Sequence, residues 1–246
     1  MSKPIIEARD LGIRFVRSRK RKLKLRDMII HRGGRQPSAE YFWPLRNVSF
    51  GIGEGEAVGV IGSNGTGKST LLRLISGALV PDEGSVHCRG KVAPLLQLSA
   101  GFSGDLTGRE NVYMVAGMHG MTRKQIRDKF DEIVAFSEIE KFIDTPVTHY
   151  SSGMKVRLGF SVVTQLGHPI LLVDEALAVG DKRFRAKCYK KMESMLAEGR
   201  TLFLVSHSEG DLKRFCTRGL YLDAGQLEVD GTLDEALDAY NVATGS

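Results

Sequence analysis

The chain has 246 residues, of which 26% are charged and 42% hydrophobic, as expected for a globular protein with a substantial core. No stretch of sequence approaches the roughly 18 to 20 apolar residues that a membrane-spanning helix needs, which argues against a membrane-embedded protein. The net charge of +6 comes from one segment, because residues 14–35 contain ten basic residues and one acid, and the rest is close to −3. A nucleic-acid-binding protein more often spreads its basic residues over a face, so no nucleic-acid partner is expected.

The N-terminus and the cysteines both favour a cytosolic protein. Residues 1–4 lead directly into a strand-like segment, without the apolar core of a secretory signal peptide. The three cysteines are widely spaced and form no C-x-x-C pair, so we expect reduced thiols at Cys88, Cys188 and Cys216.

Strand-like and helix-like segments alternate along the chain. The apolar runs and alternations predict strands at 5–8, 13–16, 45–52, 57–61, 170–173, 201–205 and 220–222. Apolar residues at helical spacing predict helices around 68–76, 126–134 and 184–196, and a further helix around 233–242. Such alternation predicts an α/β architecture with a mostly parallel core sheet.

Two capping boxes mark helix starts in the middle of the chain. Thr107 with Glu110, and Thr122 with Gln125, have the T-x-x-E/Q spacing in which side chain and backbone cap each other. The chain is mainly helical from about 98 to 168, which predicts a helical subdomain there.

A phosphate-binding loop lies between the strand at 57–61 and the helix at 68–76. Its sequence matches G-x-x-x-x-G-K-[ST] in full: Gly62, Ser63, Asn64, Gly65, Thr66, Gly67, Lys68, Ser69 and Thr70. The glycines let backbone N–H groups turn towards phosphate oxygens, and the helix N-terminus adds partial positive charge. Lys68 is expected to contact the β- and γ-phosphates of ATP, and the Ser69 hydroxyl to bind Mg²⁺.

Two further strand ends carry candidate catalytic side chains. Asp174 and Glu175 close an apolar strand, where adjacent carboxylates need a cationic partner, and Mg²⁺ is the expected one. Asp174 is assigned to the metal, and Glu175 is expected to orient and polarise the attacking water. His207 follows the strand at 201–205, at the sheet edge where ligands bind, and is expected to hydrogen-bond the γ-phosphate.

The order of these motifs resembles the nucleotide-binding domain of ABC transporters. The resemblance rests on Lys68, Gln97, the Tyr-Ser-Ser-Gly-Met segment at 150–154, Asp174 with Glu175, Asp181 and His207. It implies that Gln97 contacts Mg²⁺ and senses the permease. It also implies that Ser151 and Gly153 bind the γ-phosphate of ATP held by a second subunit, and that Asp181 lies at the dimer interface.

Segments 95–102, 106–111, 150–154 and 179–181 narrow the resemblance to ATPases that export O-antigen, teichoic acid, capsule or cell-wall galactan. For such a protein the substrate is a lipid-linked glycan, and a homodimer of ATPase subunits pairs with a permease dimer at the cytoplasmic face of the cell membrane. Ser152 and Met154 replace the glycine and glutamine of the usual signature, which is typical of this subgroup. Gln97 stands where many family members have glutamate.

The expected organisation is one ABC ATPase domain over 1–246. It comprises a P-loop core with a mostly parallel sheet, an antiparallel β subdomain, a helical signature subdomain at about 98–168 and a basic insertion at about 17–41. No C-terminal carbohydrate-binding domain is expected, since the chain ends soon after its last predicted helix. The alternatives are a soluble ABC ATPase acting in translation or on DNA, an exporter subunit for another lipid, and a regulatory module without catalysis.

Two assignments stay open on the sequence. Phe15 is in register to stack on adenine, but Tyr41, Phe42 and Trp43 are equally available. The basic insertion is either a solvated loop or an amphipathic helix at the membrane surface, because Leu25, Met28 and Ile29 have i, i+3, i+4 spacing among basic residues.

Overall fold

The computed structural model describes residues 3–17, 40–95, 101–174 and 181–245. Within these ranges the α/β class is confirmed, with nine strands in two sheets and seven α-helices. The strands are β1 (Ile6–Val16), β2 (Tyr41–Ile52), β3 (Ala57–Ile61), β4 (Glu83–Cys88), β5 (Val92–Leu95), β6 (Ile170–Asp174), β7 (Thr201–Val205), β8 (Arg218–Asp223) and β9 (Gln226–Thr232). The helices are α1 (Lys68–Ile75), α2 (Gly108–Met118), α3 (Arg123–Ser137), α4 (Ser152–Gln165), α5 (Lys182–Ala197), α6 (Glu209–Phe215) and α7 (Leu233–Thr244).

The larger sheet has the order β5-β6-β7-β3-β8-β9 and is parallel except for β9, which pairs antiparallel with β8. Its central strands β3, β6 and β7 are apolar and almost fully buried, as expected for strands covered on both faces. The carboxyl ends of these three strands therefore lie side by side, and the candidate site residues follow them in sequence.

The smaller sheet is antiparallel, with the order β2-β1-β4. The expected pairing of residues 13–16 with the next strand is present, since Ile13 lies opposite Leu45. The two short strands predicted at 5–8 and 13–16 are one strand, β1, interrupted by irregular pairing around Asp10, whose φ is +46°. The Asp10 N–H donates to Ser49 Oγ at 2.8 Å, so this irregularity, which breaks the apolar alternation, is held by a side chain of β2.

Helices α2 and α3 begin where the two capping boxes predict. Both capping boxes are present: the hydroxyls of Thr107 and Thr122 accept from the N–H groups of Glu110 and Gln125, whose side chains accept from the threonine N–H groups at 2.8 Å. Strands β4, β5 and β9 were not predicted. They are short or only partly buried, so they lack a strong apolar pattern.

The core comprises three clusters of buried side chains. One lies between the large sheet and helices α4, α5 and α6; another lies on the opposite face, where α1 and the antiparallel sheet pack; the third lies among α2, α3 and α4. The Phe50 and Phe203 rings stack 6.1 Å apart and join the two sheets. Each fully buried large apolar side chain contributes about 1.5 to 3 kcal/mol, so these contacts fix how the sheets and helices are placed around the site.

The three thiols are free, and burial raises the pKa of the Cys188 and Cys216 thiols to about 12. In the part of the chain that the structure describes, no helix is both long and apolar enough to cross a membrane.

Candidate nucleotide site

The phosphate-binding loop connects β3 to α1, and two of its glycines are required by the backbone. Gly62 has φ +156°, and a Cβ atom there would collide with the carbonyl oxygen of Leu222. Gly67 has φ +101°, and a Cβ atom there would lie 2.5 Å from the carbonyl oxygen of Pro44. Neither position accepts a side chain, so strands β8 and β2 pack directly against the loop and set its shape.

Lys68 is buried at the base of the loop. Its Nζ donates to the carbonyl oxygens of Gly62 at 2.6 Å and Ser63 at 2.8 Å. The Thr66 hydroxyl also donates to Ser63, at 2.9 Å, which tightens the turn. Gly67 provides no side-chain cap to α1, and no acid lies in its first turn. The ammonium group and the helix N-terminus therefore place positive charge where an anion would bind.

A cavity of about 370 Å³ opens over the loop. Its lining comprises Phe15, Phe42, Pro44, Asn64, Gly65, Gly67, Lys68, Ser69, Thr70 and His207. The structure thus brings His207, at the end of β7, to the same cavity as Lys68. The expected hydrogen bond from His207 to the γ-phosphate stays a prediction.

Of the four aromatic residues that could stack on adenine, two line this cavity. Phe15 and Phe42 lie opposite each other on β1 and β2, both line the cavity, and both are about half exposed. Tyr41 and Trp43 pack against arginines: the Arg14 guanidinium lies 4.4 Å from the Tyr41 ring centroid, and that of Arg46 lies 4.7 Å from the Trp43 centroid. Side chains alternate along a strand, so Phe42 and Tyr41 point to opposite faces of the sheet. Phe15 and Phe42 therefore face the phosphate loop, and Tyr41 and Trp43 face away from it.

A second cavity of about 430 Å³ adjoins the loop and brings Ser69 and Asp174 together. Asp174 is the last residue of β6, opposite Val205 of β7. A hydroxyl and a carboxylate are oxygen donors of the kind that Mg²⁺ prefers. Ser69 lines both cavities, so a metal held here would lie next to the bound phosphates.

Gln97 and Glu175 lie outside the described residues. The strands that precede them are neighbours, since Leu95 of β5 pairs with Val173 of β6. Their expected roles therefore remain predictions, as do the identities of the groups they contact.

Ser151 and Gly153 lie at the start of α4. Ser151 is the N-cap residue, and its Oγ accepts from the Met154 N–H at 3.2 Å. Ser151 and Ser152 are exposed. Among the described residues, neither Ser151 nor Gly153 lines the two cavities of the phosphate loop. The structure of one chain therefore does not bring the signature residues to its own phosphate site.

One contact near this helix was not anticipated from the sequence. Arg157, one turn into α4, binds Asp181 with its Nη2 2.6 Å from Oδ2. No local pattern indicates this contact, because Asp181 lies 24 residues away at the start of another helix.

The fold and the phosphate loop define a P-loop nucleotide-binding protein of the ATPase type. A model of the ABC transporter family matches residues 45–178, more than half of the chain. The chain belongs to the ABC transporter family.

Relatives of this chain include export ATPases of two kinds. It is 43% identical over 218 residues to the teichoic acids export ATP-binding protein TagH of Bacillus anthracis, covering 89% of this chain but 39% of that protein. It is 40% identical over 221 residues to the O-antigen export system ATP-binding protein RfbB of Klebsiella pneumoniae, covering 89% of this chain and 90% of that protein. The chain thus spans less than half of TagH and nearly all of RfbB.

Solved structures agree on the fold. An ATP-binding subunit of an ABC transporter has a TM-score of 0.78 and 21% identity, covering 98% of this chain and 100% of that chain. The dimeric ATP-binding cassette MJ0796, bound to ADP and Pi, has a TM-score of 0.73 and 21% identity, covering 93% and 98%.

Proposed function

We propose that this chain is the ATP-hydrolysing subunit of an exporter that moves a lipid-linked polysaccharide across the cell membrane through a separate permease. The observation that carries the substrate class is the 40% identity with the O-antigen export protein RfbB across about nine tenths of both chains. The phosphate site supports the chemistry, since Lys68, Ser69 and His207 line one cavity.

In this proposal the phosphate loop binds the β- and γ-phosphates through its backbone N–H groups and Lys68. Ser69, Asp174 and Gln97 would hold Mg²⁺, whose charge would offset the negative charge of the phosphates. Glu175 orients a water molecule for in-line attack on the γ-phosphorus, and His207 hydrogen-bonds the γ-phosphate. Phe15 stacks on adenine, with Phe42 beside it as the alternative platform.

The site is completed by a second copy of the chain. Ser151 and Gly153 lie at an exposed helix start, where backbone N–H groups and the helix dipole suit a phosphate. A homodimer that places this turn over the partner's phosphate loop would enclose two ATP molecules. Closure of the dimer on ATP and its opening after hydrolysis would then drive the permease.

The permease needs a surface on this chain. A cavity of about 630 Å³ lies away from the phosphate loop, between the end of α1 and the end of α2. Val80 and Met118 line it and are strongly exposed, which is unusual for large apolar side chains without a partner. We place the contact with the permease dimer here, which positions the ATPase at the cytoplasmic face of the membrane.

Copurification tests the transport assignment. The chain should be recovered in a complex with an integral-membrane permease, and that complex should export glycan in an ATP-dependent manner. Met118→Glu should weaken recovery of the permease and leave ATP hydrolysis by the isolated chain unchanged. Phe142→Glu is the matched control, because Phe142 is also an exposed apolar residue of the helical segment but lies outside the cavity lining.

The rival classes predict other outcomes. A soluble ATPase of translation or DNA metabolism would be recovered with ribosomes or DNA and no permease. An exporter for another lipid would bind a permease but would not restore polysaccharide export. A regulatory module would bind ATP without turnover, which the residues Lys68, Glu175 and His207 argue against.

A further inference from the structure

Arg157 of α4 lies at the centre of a polar network that joins three helices. Its Nη1 binds the Glu138 carboxylate at 2.9 Å, and its Nη2 binds the Asp181 carboxylate at 2.6 Å. The guanidinium also lies 4.7 Å from the centroid of the Phe184 ring. One side chain thus connects the end of α3, the first half of α4 and the start of α5, and only 18% of it is exposed.

Lys187 of α5 completes the network from the other side. Its Nζ donates to the backbone carbonyls of Ala135 at 3.3 Å and Phe136 at 2.9 Å, and to the Glu138 carboxylate at 3.1 Å. A lysine from another helix therefore caps the C-terminal end of α3, where the helix dipole favours a cation. Glu138 receives both cations and adopts a left-handed conformation, with φ +58°.

The ionisation of the network follows from these contacts. Burial alone would raise the pKa of the Glu138 carboxyl, but the Lys187 hydrogen bond and the charges of Lys187 and Arg157 lower it below its ordinary value. The Phe184 N–H, followed by the Arg157 charge, lowers the pKa of Asp181. Both carboxylates are therefore charged at neutral pH, and each is paired with a basic side chain.

An aromatic cluster lies beneath these charges. The Phe136 ring of α3 stacks 5.9 Å from Phe160 of α4, and Phe184 of α5 packs edge-on against both. Phe160 and Phe184 are fully buried. Because each helix contributes one ring and at least one polar contact, a rotation of α4 relative to α5 would break apolar packing and ion pairs together.

The network links the signature helix α4 to the start of α5. Six residues before Arg157, Ser151 caps α4; Asp181 caps α5 by accepting from the Phe184 N–H at 2.8 Å, and it directly follows the segment that contains Glu175. Arg157 itself does not line the phosphate-loop cavity among the described residues. It can act on hydrolysis only through the residues that it holds.

We propose that Arg157 is a positioning residue for ATP hydrolysis: its bridge between Glu138 and Asp181 fixes the signature helix α4 against the start of α5. This inference rests on the proposed ATPase function. It adds that the signature turn and the start of α5 at Asp181 work as one rigid unit, whose geometry depends on a side chain that contacts no nucleotide. The bidentate fork of arginine suits this task, because it binds two carboxylates in fixed directions.

The test compares turnover with binding in Arg157→Met. Turnover at saturating Mg-ATP should fall on the order of 10- to 100-fold, since a displacement of about 1 Å at a reacting centre costs that much. The affinity of the chain for ATP at low protein concentration should stay within about twofold of wild type, because the phosphate loop is untouched. Thermal unfolding, measured in parallel, reports whether the variant folds.

Arg109→Met is the matched control. Like Arg157, Arg109 makes two hydrogen bonds to carboxylate oxygens, here at 2.6 and 3.2 Å to Asp144 alone, and its guanidinium lies 4.6 Å from the centroid of the Phe130 ring. All of its partners are within the helical segment, so this variant loses similar contacts without releasing α5. It should retain wild-type turnover, and equal losses in the two variants would overturn the inference.

A double-mutant cycle distinguishes the loss of the Arg157–Asp181 contact from a general loss of stability. Asp181→Asn keeps an oxygen that can cap α5 but weakens the pair with Arg157. If the two residues act as a unit, the double variant should turn over no more slowly than the worse single variant. If the losses of turnover in the two single variants multiply in the double variant, or if Arg157→Met has wild-type turnover, the role of Arg157 is overturned and the proposed ATPase function is not. A wild-type chain without turnover would overturn the proposed function as well.

Discussion

The two halves of the proposed ATP site are both helix N-termini, but they differ in what surrounds them. The phosphate loop precedes α1, its lysine is 6% exposed, and the cavity over it is lined by side chains of β1, of β2 and of His207, two residues after β7. The signature turn precedes α4 and is exposed at Ser151 and Ser152. The first is therefore organised within one chain, whereas the second is presented outwards. This difference predicts which substitutions affect a single chain and which affect only the dimer.

The largest effect is expected for Lys68→Ala, which changes the phosphate loop, the half of the site that is organised within one chain. It removes a cation from the cavity and two hydrogen bonds to the loop carbonyls of Gly62 and Ser63. A hydrogen bond that involves a charged group contributes about 1.5 to 3 kcal/mol. Without the bond from Lys68 to the phosphates, ATP affinity should therefore fall roughly 10- to 100-fold, and hydrolysis should be lost. Titration of the purified chain with ATP and a phosphate-release assay measure both effects.

Lys213→Ala serves as the control for this variant, because it also removes a lysine, one that pairs with Glu209 on the exposed face of α6. Near wild-type turnover in Lys68→Ala would contradict the assignment of the phosphate loop.

Ser151→Arg should abolish hydrolysis while the single chain still binds ATP. The bulky cation would block the outward-facing turn from meeting the partner's nucleotide. The substitution also removes the N-cap of α4, which costs about 1 kcal/mol of stability. Thr122→Arg removes the N-cap of α3 in the same helical segment and corrects for that loss. Loss of ATP binding by the dilute single chain would show that Ser151 contributes to the ATP site of its own chain. It would contradict the difference drawn here between the phosphate loop and the signature turn.

Glu175→Gln should separate binding from chemistry. The amide keeps the size of the side chain but lacks the carboxylate that orients water, which typically contributes 10²- to 10⁴-fold to the rate. Hydrolysis should fall by about that factor, while Mg-ATP should now hold the two copies together. Size-exclusion chromatography with and without Mg-ATP reports the dimer. A variant that stays monomeric and hydrolyses ATP normally would contradict both the role of Glu175 and the shared site.

The phosphate loop could be predicted almost completely from the sequence, because its chemistry lies in consecutive residues between a buried strand and a helix. The parallel strands were also predictable, since β3, β6 and β7 are continuous apolar runs. That Phe15 and Phe42 line the cavity, while Tyr41 and Trp43 do not, was not predictable. It depends on the register of β1 against β2, and irregular pairing in β1 shifts that register.

The bridge made by Arg157 was also beyond the sequence. Its two partners lie 19 and 24 residues away on separate helices, and nothing in their local patterns connects them. The two short strands predicted in place of β1 have a similar explanation. The alternation of apolar residues stops at Asp10, where a side-chain contact with Ser49 keeps one strand continuous.

The smallest effect on ATP chemistry is expected from removing the basic insertion, of which residues 18–39 lie outside the described residues. Its two ends meet, since the Arg17 N–H donates to the Glu40 carbonyl at 2.7 Å and Val16 pairs with Tyr41. An Asn-Gly turn in place of residues 18–39 should therefore close the β1–β2 hairpin without strain. Neither half of the ATP site loses a residue, so turnover of the soluble dimer should stay within about twofold of wild type, given that distant, independent sites rarely couple.

Export should nevertheless fall in the variant with the Asn-Gly turn, because residues 18–39 carry most of the basic residues found between 14 and 35. Each Lys or Arg near an anionic membrane surface contributes about 1 kcal/mol, and eight basic residues lie within residues 18–39. Binding of the chain to vesicles that contain anionic lipid should weaken with the turn in place. A second variant that keeps the segment but replaces its basic residues with glutamine separates charge from length. If it exports normally while the turn variant does not, the segment acts through its fold; export at the wild-type rate by both would show a solvated loop with no part in transport.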